Sequence, residues 1–144
     1  MSGSYLIRLM SINDRVQSCT NIDRREENSL LLEVIENEGL PANAAKVGAY
    51  MKAGLEKLAD RFDIIGDVRG AGLFLGLEFV KDRKTKEPLA AAATHVVNDL
   101  RRRRVLISAT GPGANILKIR PPLVFTEEHA DIFLDAVSQA LASY

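Results

Sequence analysis

Arg120, in the segment NILKIRPPL, is the side chain of this 144-residue protein best suited to bind an anion. It ends an apolar segment and is followed directly by two prolines. Because proline keeps the preceding residue extended, the backbone direction of Arg120 is restricted. A guanidinium held in this way can bind a carboxylate through two parallel hydrogen bonds. The alternative, which spacing alone leaves open, is a surface arginine beside Glu127 or Glu128.

The segment VRGAGLFLGLEFV, residues 68–80, raises the question of a phosphate-binding loop because it contains Gly70, Gly72 and Gly76. A dinucleotide-binding turn has the spacing G-x-G-x-x-G and leads into a helix, whereas Leu75 stands here in place of the third glycine. Apolar residues then alternate, with Leu73, Leu75, Leu77 and Phe79 on one face and Phe74, Gly76 and Glu78 on the other. This period of two predicts a half-buried strand. Its glycines then mark a bend or a close approach by another backbone.

No catalytic set and no metal site is indicated by the remaining reactive residues. His95 and His129 fall on separate predicted helices, without the H-x-x-x-H or C-x-x-C spacing that a zinc site uses. Cys19 has no neighbouring histidine or basic helix start to lower its pKa. No G-x-S-x-G motif surrounds a serine. From these residues we predict no catalytic residue and no metal-binding residue.

The four arginines at 101–104 form the largest cluster of charge in the sequence. Clustered arginines can neutralise the phosphates of a nucleic acid. They also suit the C-terminus of a helix, where cations interact favourably with the helix dipole. Because no aromatic residues are interleaved and the net charge of the chain is zero, we favour the helix terminus and expect no nucleic-acid partner.

Composition fits one intracellular domain. The chain is 47% apolar and 26% charged, and domains typically contain about 100–200 residues. One cysteine cannot form an internal disulfide, which suits a reducing cytoplasm. No apolar run approaches the roughly 20 residues of a membrane helix, and the N-terminus lacks the pattern of a signal peptide. We expect a cytoplasmic protein that does not interact with a membrane.

Two helices are predicted in the first half of the chain. The first starts at Asp23 or Ser29 and stops at Gly39 and Pro41. The second starts near Pro41 and has an apolar residue at every third or fourth position. The residues of this apolar stripe are Ala44, Val47, Met51, Leu55, Leu58 and Phe62.

Another helix, two short strands and a last helix are predicted after the charged turn at residues 81–88. The strands VLISA and NILKIR flank the turn TGPGA, and Thr126 is the expected N-cap of the last helix. The inward-facing helical residues are predicted to be Ala92, Val96, Leu100, Ala130, Phe133, Val137 and Leu141.

The fold class that follows is α+β, with a small antiparallel sheet and helices packed on one face, because hairpin-like strands are mixed with helices. Near the N-terminus, the segment YLIRLMSI fits either a strand or a helix, and residues 13–22 are predicted to be a loop.

From about Leu32 to its end, the chain resembles the C-terminal small domain of class III aminotransferases, which are pyridoxal-phosphate enzymes of fold type I. The most specific parts of the resemblance are VRGAGLFLGLEF and NILKIRPPL, in this order and spacing. The resemblance implies that Arg120 occupies the place where many members hold the carboxylate of the substrate. Members move an amino group from an amine or amino acid to a keto acid, and some relatives eliminate phosphate from a phospho-amine.

What the family places in its large domain is missing from this sequence. That domain holds the Schiff-base lysine, the acid that pairs with the pyridinium nitrogen and the phosphate-binding turns. The lysines present here lie on predicted helices, in the charged turn or in a strand. We therefore expect pyridoxal phosphate in the full-length family but no cofactor on this chain alone, and we predict that the chain alone cannot transaminate.

The resemblance stops abruptly upstream of Leu32. The family has a glycine–asparagine–proline turn there, whereas this chain has TNIDRREENSL. We interpret residues 1–29 as a divergent N-terminal arm that arose by truncation, fusion or a frame shift, and residues 30–144 as the aminotransferase-like domain. Arg104 and Ala114 replace glycines of the family, so we expect the helix that ends near Arg104 to be rebuilt.

Two functions from different classes remain open. The chain is either an aminotransferase C-terminal domain that contributes substrate-carboxylate binding, or a non-enzymatic module that binds amino or keto acids or mediates oligomerisation. Its expected partners are a large domain or further copies of itself, because a small domain on its own exposes apolar surface. YLIRLMSI is the candidate to cover part of that surface.

Overall fold

The computed structural model describes residues 7–8 and 24–144. The helices are α1 (Arg24–Asn37), α2 (Leu40–Arg61), α3 (Ala90–Arg102) and α4 (Glu127–Ala142). The strands are β1 (Ile7–Arg8), β2 (Ile65–Ala71), β3 (Phe74–Phe79), β4 (Val105–Leu106), β5 (Ser108–Thr110) and β6 (Ile116–Ile119). The loop predicted at residues 13–22 lies outside the described residues.

The main sheet has four strands in the order β2-β3-β6-β5, and all of its neighbours are antiparallel. Helix α2 packs against β2 and β3, α3 packs against β3, β5 and β6, and α4 packs on both helices. The predicted fold class is therefore confirmed. The two residues of β1 pair in parallel with β4, so part of the segment YLIRLMSI is a strand.

Alternation along β3 divides the sheet into a core face and an open face. Leu75, Leu77 and Phe79 are at most 2% exposed, while Phe74, on the opposite face, is 56% exposed. The glycine-rich segment is therefore a strand pair, as its period predicts, and its glycines lie in β2, in β3 and in the turn between them.

Two glycines explain how closely α2 lies against that turn. A Cβ atom added to Gly48, on α2, would lie 2.1 Å from the carbonyl oxygen of Gly72. Gly72 itself has a left-handed backbone, with φ +52°. The helix and the turn between β2 and β3 therefore meet main chain to main chain, which only glycine allows.

Most residues of the predicted apolar stripes are buried, while Ala44 and Phe62 of the α2 stripe are half-buried and Phe62 lies just beyond the helix end. On α2, Val47, Met51, Leu55 and Leu58 are buried, and the inward residues predicted for α3 and α4 are at most 4% exposed. Thr126 caps α4, since its hydroxyl accepts from the backbone N–H of His129. In the described part of the chain, no helix is long and apolar enough to cross a membrane.

The arginine cluster lies at the C-terminus of α3. The carboxylate of Asp99 accepts a hydrogen bond from Nε of Arg103 at 2.7 Å and lies 3.7 Å from Nη1 of Arg102. The bond from Arg103 is the main reason that the pKa of Asp99 lies below its ordinary value. This position is the one that the helix-terminus interpretation predicts.

Arg104 (φ +67°) and Ala114 (φ +47°) have a left-handed backbone conformation although neither residue is glycine. Helix α3 ends normally, with the N–H of Arg104 donating to the carbonyl oxygen of Arg101 at 3.1 Å. The rebuilt helix end that we expected is therefore not found. Non-glycine residues bear the steric cost of this conformation, about 1–2 kcal/mol each.

The charged turn at residues 81–88 folds back onto the end of α2. The Arg83 side chain donates to four backbone carbonyls in residues 59–65, including that of Ile65 at 3.1 Å. Within the turn, the Asp82 carboxylate accepts from the backbone N–H of Thr85 at 2.8 Å and of Lys84 at 2.7 Å. These two bonds lower the pKa of Asp82. The turn therefore supplies a charged donor to a carbonyl in the last turn of α2, that of Ala59, and to three carbonyls of the chain that follows the helix.

Replacing Arg83 tests this arrangement. Because several carbonyls lose a charged donor, we expect Arg83→Ala to lower the free energy of unfolding by about 1.5–3 kcal/mol, measured by urea denaturation. Arg83→Lys should recover only part of this loss, since one ammonium cannot reach the same set of carbonyls. Lys84→Ala is the control, because the Lys84 side chain makes none of these bonds. Equal stability of the Arg83→Ala and Lys84→Ala variants would contradict the assignment.

Candidate functional site

A groove of about 890 Å³ opens at one end of the main sheet, and we call it the Arg120 groove. Its walls are the turn between β2 and β3, the segment from β4 into β5, and the chain that follows β6. Of its thirteen lining residues, Ser108, Lys118 and Arg120 are polar, and the rest are alanine, glycine, leucine, isoleucine, phenylalanine or proline. An apolar cleft with a few polar groups is the usual form of a small-molecule site.

Strand β6 sets the direction of Arg120. Leu117 and Ile119 are at most 1% exposed, and Ile119 pairs with Leu75 of β3. Since successive side chains of a strand alternate, Arg120 continues on the open face of the sheet. The exposed Arg120 side chain lines the groove, as does the buried Pro121 that follows it.

Helix α2 fixes the chain that follows Arg120. The side-chain amide of Asn43 donates to the carbonyl oxygen of Leu123 at 2.7 Å and to that of Phe125 at 3.0 Å. A turn closes over the same residues, with the N–H of Phe125 donating to the carbonyl oxygen of Pro122. The groove wall after Arg120 is therefore tied to the core through backbone carbonyls.

The guanidinium of Arg120 lies over the ring of Phe74, with 5.7 Å between Cζ and the ring centroid. Among the described residues, no carboxylate lies within 4.0 Å of this guanidinium. Glu127 instead pairs with Lys46 at 2.9 Å. The surface pairing with Glu127 or Glu128 that the sequence left open is therefore not made, and the guanidinium is held beside the groove by an aromatic face.

Lys118 is a second cation in the groove, and it was not among the site residues predicted from the sequence. It pairs with Gly76 on one side and Ser108 on the other, and it is exposed. Its ammonium makes no ion pair within the described residues. The signal was present in the segment NILKIR, since Lys118 and Arg120 are two residues apart on a strand and so share a face.

Asp67 and Glu78, the acidic residues on the same face of the sheet, form ion pairs with a different arginine, Arg69. Nη1 of Arg69 lies 2.5 Å from Glu78 and 2.6 Å from Asp67. These hydrogen bonds, the one to Glu78 first, raise the pKa of Arg69. The carboxylates of β2 and β3 are therefore paired, and the cations of the groove stay available to an anionic ligand.

Pyridoxal phosphate is the cofactor that the resemblance to class III aminotransferases implies. That cofactor needs a lysine for its imine and a phosphate-binding turn. None of the described lysines is buried, and the one buried polar residue among residues 28–144 is Asn115. Its amide donates to the carbonyl oxygen of Phe79 at 2.7 Å, so it serves the sheet. We assign no step of cofactor chemistry to these residues.

The histidines have local structural roles. Nδ1 of His129 lies 3.0 Å from the hydroxyl of Thr126 within the cap of α4, and Nε2 of His95 lies 3.1 Å from the hydroxyl of Ser143. Among the described residues, no group of three histidine, cysteine, aspartate or glutamate side chains could hold a metal ion. Cys19 lies outside the described residues.

Comparison with known proteins gives consistent results at the level of family. A sequence model described as aminotransferase class-III matches residues 28–141. The protein named alanine–glyoxylate aminotransferase 2 homolog 2, from Arabidopsis thaliana, is 44% identical over 112 residues, which make up 78% of this chain and 24% of that protein.

Solved structures agree in fold. A phospholyase from Arthrobacter, in complex with phosphoethanolamine, has a TM-score of 0.75 and 42% identity, covering 79% of this chain and 27% of its own. An amine transaminase from an uncultivated Pseudomonas species, in its PLP-bound form, has a TM-score of 0.71 and 36% identity, covering 78% of this chain and 25% of its own.

The chain spans about a quarter of the length of these relatives. Within that quarter, the match starts inside α1, stops in the last turn of α4, and includes the glycine-rich strand pair and the segment that carries Arg120. Since the family model covers most of the chain, this protein belongs to the class-III aminotransferases, a family of pyridoxal-phosphate enzymes.

Proposed function

We propose that this chain supplies the substrate-carboxylate site of a pyridoxal-phosphate-dependent aminotransferase, with Arg120 as the residue that binds the carboxylate. The observation that carries the proposal is the Arg120 guanidinium, which lines an open groove without a carboxylate partner among the described residues. A hydrogen bond to a charged group contributes about 1.5–3 kcal/mol. The substrate would be an amino acid, or the keto acid that exchanges its amino group.

Lys118 is the second cation of the proposed site. Strand geometry places its Cα roughly 7 Å from that of Arg120, with both side chains on the same face. Long flexible stems allow both head groups to reach one carboxylate. Arg120 would determine the orientation through its planar fork, and Lys118 would add positive charge to the same end of the groove.

The cofactor chemistry would come from residues outside this chain. Pyridoxal phosphate, when bound, supplies the electron sink for the transfer of the amino group. We propose that the groove residues bind and orient the acid, and that the chain alone is inactive. The same groove would serve a non-enzymatic module that binds amino or keto acids, and the two functions differ in whether catalysis occurs when a large domain is supplied.

Association with further copies of the chain is part of the proposal. On α1, Leu30, Leu31, Leu32 and Val34 are 43–59% exposed. These four apolar residues fall within five positions and form an exposed apolar patch on an otherwise polar helix. Such a surface favours association with a second copy or with a large domain.

A cytoplasmic location stays a prediction from the single cysteine, and cell fractionation would test it.

Arg120→Ala tests the carboxylate site. By titration calorimetry with pyruvate and alanine, we expect the variant to bind about 10- to 150-fold more weakly, which corresponds to the loss of a charged hydrogen bond. Lys118→Ala should bind more weakly than wild type but by a smaller factor. Arg101→Ala, an exposed arginine outside the groove, is the matched control and should bind like wild type. Equal affinity of the wild type and Arg120→Ala would show that Arg120 is not the carboxylate ligand.

Incubation with equimolar pyridoxal phosphate tests the proposed inactivity. After reduction with borohydride, we expect no lysine of this chain to carry a stoichiometric adduct in mass spectrometry, because none of the described lysines is buried beside a phosphate-binding turn. A full-length class-III aminotransferase is the positive control. Stoichiometric labelling of one lysine, or amino transfer by the purified chain, would overturn this part of the proposal.

Sedimentation tests the role of α1. We expect the chain to form dimers or larger species at micromolar concentration, and Leu31→Lys combined with Val34→Lys to shift it toward the monomer by charging the exposed apolar surface. Ile132→Lys is the matched control, since this exposed apolar residue lies on α4. A wild-type chain that stays monomeric at all concentrations would contradict the proposal.

A further inference from the structure

We infer that the Arg120 groove prefers monocarboxylic acids with an apolar tail of several carbons over short acids and over dicarboxylic acids. The inference rests on the proposed carboxylate site and concerns the part of the ligand beyond the carboxylate. It is carried by the distribution of polar and apolar side chains around the groove.

The charged end of the groove is small and lies at one strand. Lys118 lies on the open face of β6, Arg120 follows directly after the strand, and Ser108 of the neighbouring strand β5 pairs with Lys118. These are the three polar side chains among the described residues that line the groove. One carboxylate can therefore be bound there by charge, whereas a second carboxylate on the same ligand would lie against apolar walls without a polar partner.

The walls beyond the charged end are apolar and exposed. Phe74 is 56% exposed at the start of β3, and Leu106 is 37% exposed in β4. Both side chains line the groove, Phe74 from β3, which pairs with β6, and Leu106 from β4, which leads into β5. Within the described residues, both remain accessible to a ligand, so an apolar tail that lies between them would remove exposed hydrocarbon from water.

Phe74 connects the two parts of the proposed site. Its ring face supports the Arg120 guanidinium at 5.7 Å, and much of the remaining side chain is exposed to the groove. An acid bound by Arg120 therefore begins beside an aromatic wall. The volume of about 890 Å³ leaves room for a tail beyond the carboxylate, since clefts of about 300–1,000 Å³ bind small organic ligands.

A series of straight-chain acids tests the inference directly. Acetate, butyrate, hexanoate and octanoate would be titrated calorimetrically into the chain at constant ionic strength, with glutarate as the dicarboxylate and hexanol as the uncharged analogue. We expect affinity to rise about three- to fourfold for each added methylene up to hexanoate. Glutarate and hexanol should both bind more weakly than hexanoate.

Two variants locate the tail within the groove. Leu106→Ala should reduce the gain in affinity per methylene while leaving acetate binding within about twofold. Phe74→Ala should also reduce the gain per methylene, but it should weaken acetate binding as well, because the Phe74 ring supports the Arg120 guanidinium. Val124→Ala is the matched control, since Val124 is 59% exposed and lies outside the groove lining. Circular dichroism and the urea midpoint would establish that each variant folds. If one variant failed to fold, the other would still test the inference.

The outcomes separate this inference from the proposed function. Affinity that does not change with chain length, or glutarate that binds more tightly than hexanoate, would overturn the inference, and weakened pyruvate binding by Arg120→Ala would still support the carboxylate site. Hexanol that binds as tightly as hexanoate, or a gain per methylene that both wall variants retain, would also overturn the inference. No binding by any acid, pyruvate included, would overturn both proposals.

Discussion

The antiparallel pairing of β3 with β6 is the constraint on which the rest of this structure depends. Its register places Leu75 opposite Ile119 and Leu77 opposite Leu117, and all four side chains are buried against the helices. A slip of one residue would reverse the faces of a strand. The same register that builds the core therefore sends Lys118 and Arg120 to the open face. The position of the candidate site is a consequence of core packing, and substrate binding does not need to enforce it.

Charge on the open face is arranged in two separate groups. Arg69 pairs with Glu78 and Asp67 on β2 and β3, whereas Lys118 and Arg120 at the other side of Gly76 have no such partners among the described residues. If the carboxylates of Asp67 on β2 and Glu78 on β3 were not already paired, they would compete with an external acid for the groove cations. The ion pairs of Arg69 therefore keep Lys118 and Arg120 available to an external acid, although Arg69 itself does not contact the ligand.

Features that depend on residues close together in the sequence were predicted correctly. The alternation in LFLGLEFV, the stripe on α2 and the cap at Thr126 all follow from residues within one element, and the structure confirms each of them. Contacts across long separations were not predicted. The Arg83 side chain binds carbonyls 18 to 24 residues away, and two-residue β1 pairs with β4 near residue 105. Nothing local distinguishes an arginine that will find such partners from one that stays in solvent, and two residues carry no period.

The main-chain contact between Gly48 and Gly72 has a consequence for how this groove can change over time. One wall of the groove is the turn that Gly72 belongs to, and its distance from α2 is set by two residues without side chains. The exposed residues 71 and 74 can therefore be exchanged, and ligand preference with them, while the spacing of the wall stays fixed. Ligand preference can therefore change without a change in the position of the wall. The two residues that cannot be replaced, Gly48 and Gly72, have no side chain with which to contact a ligand.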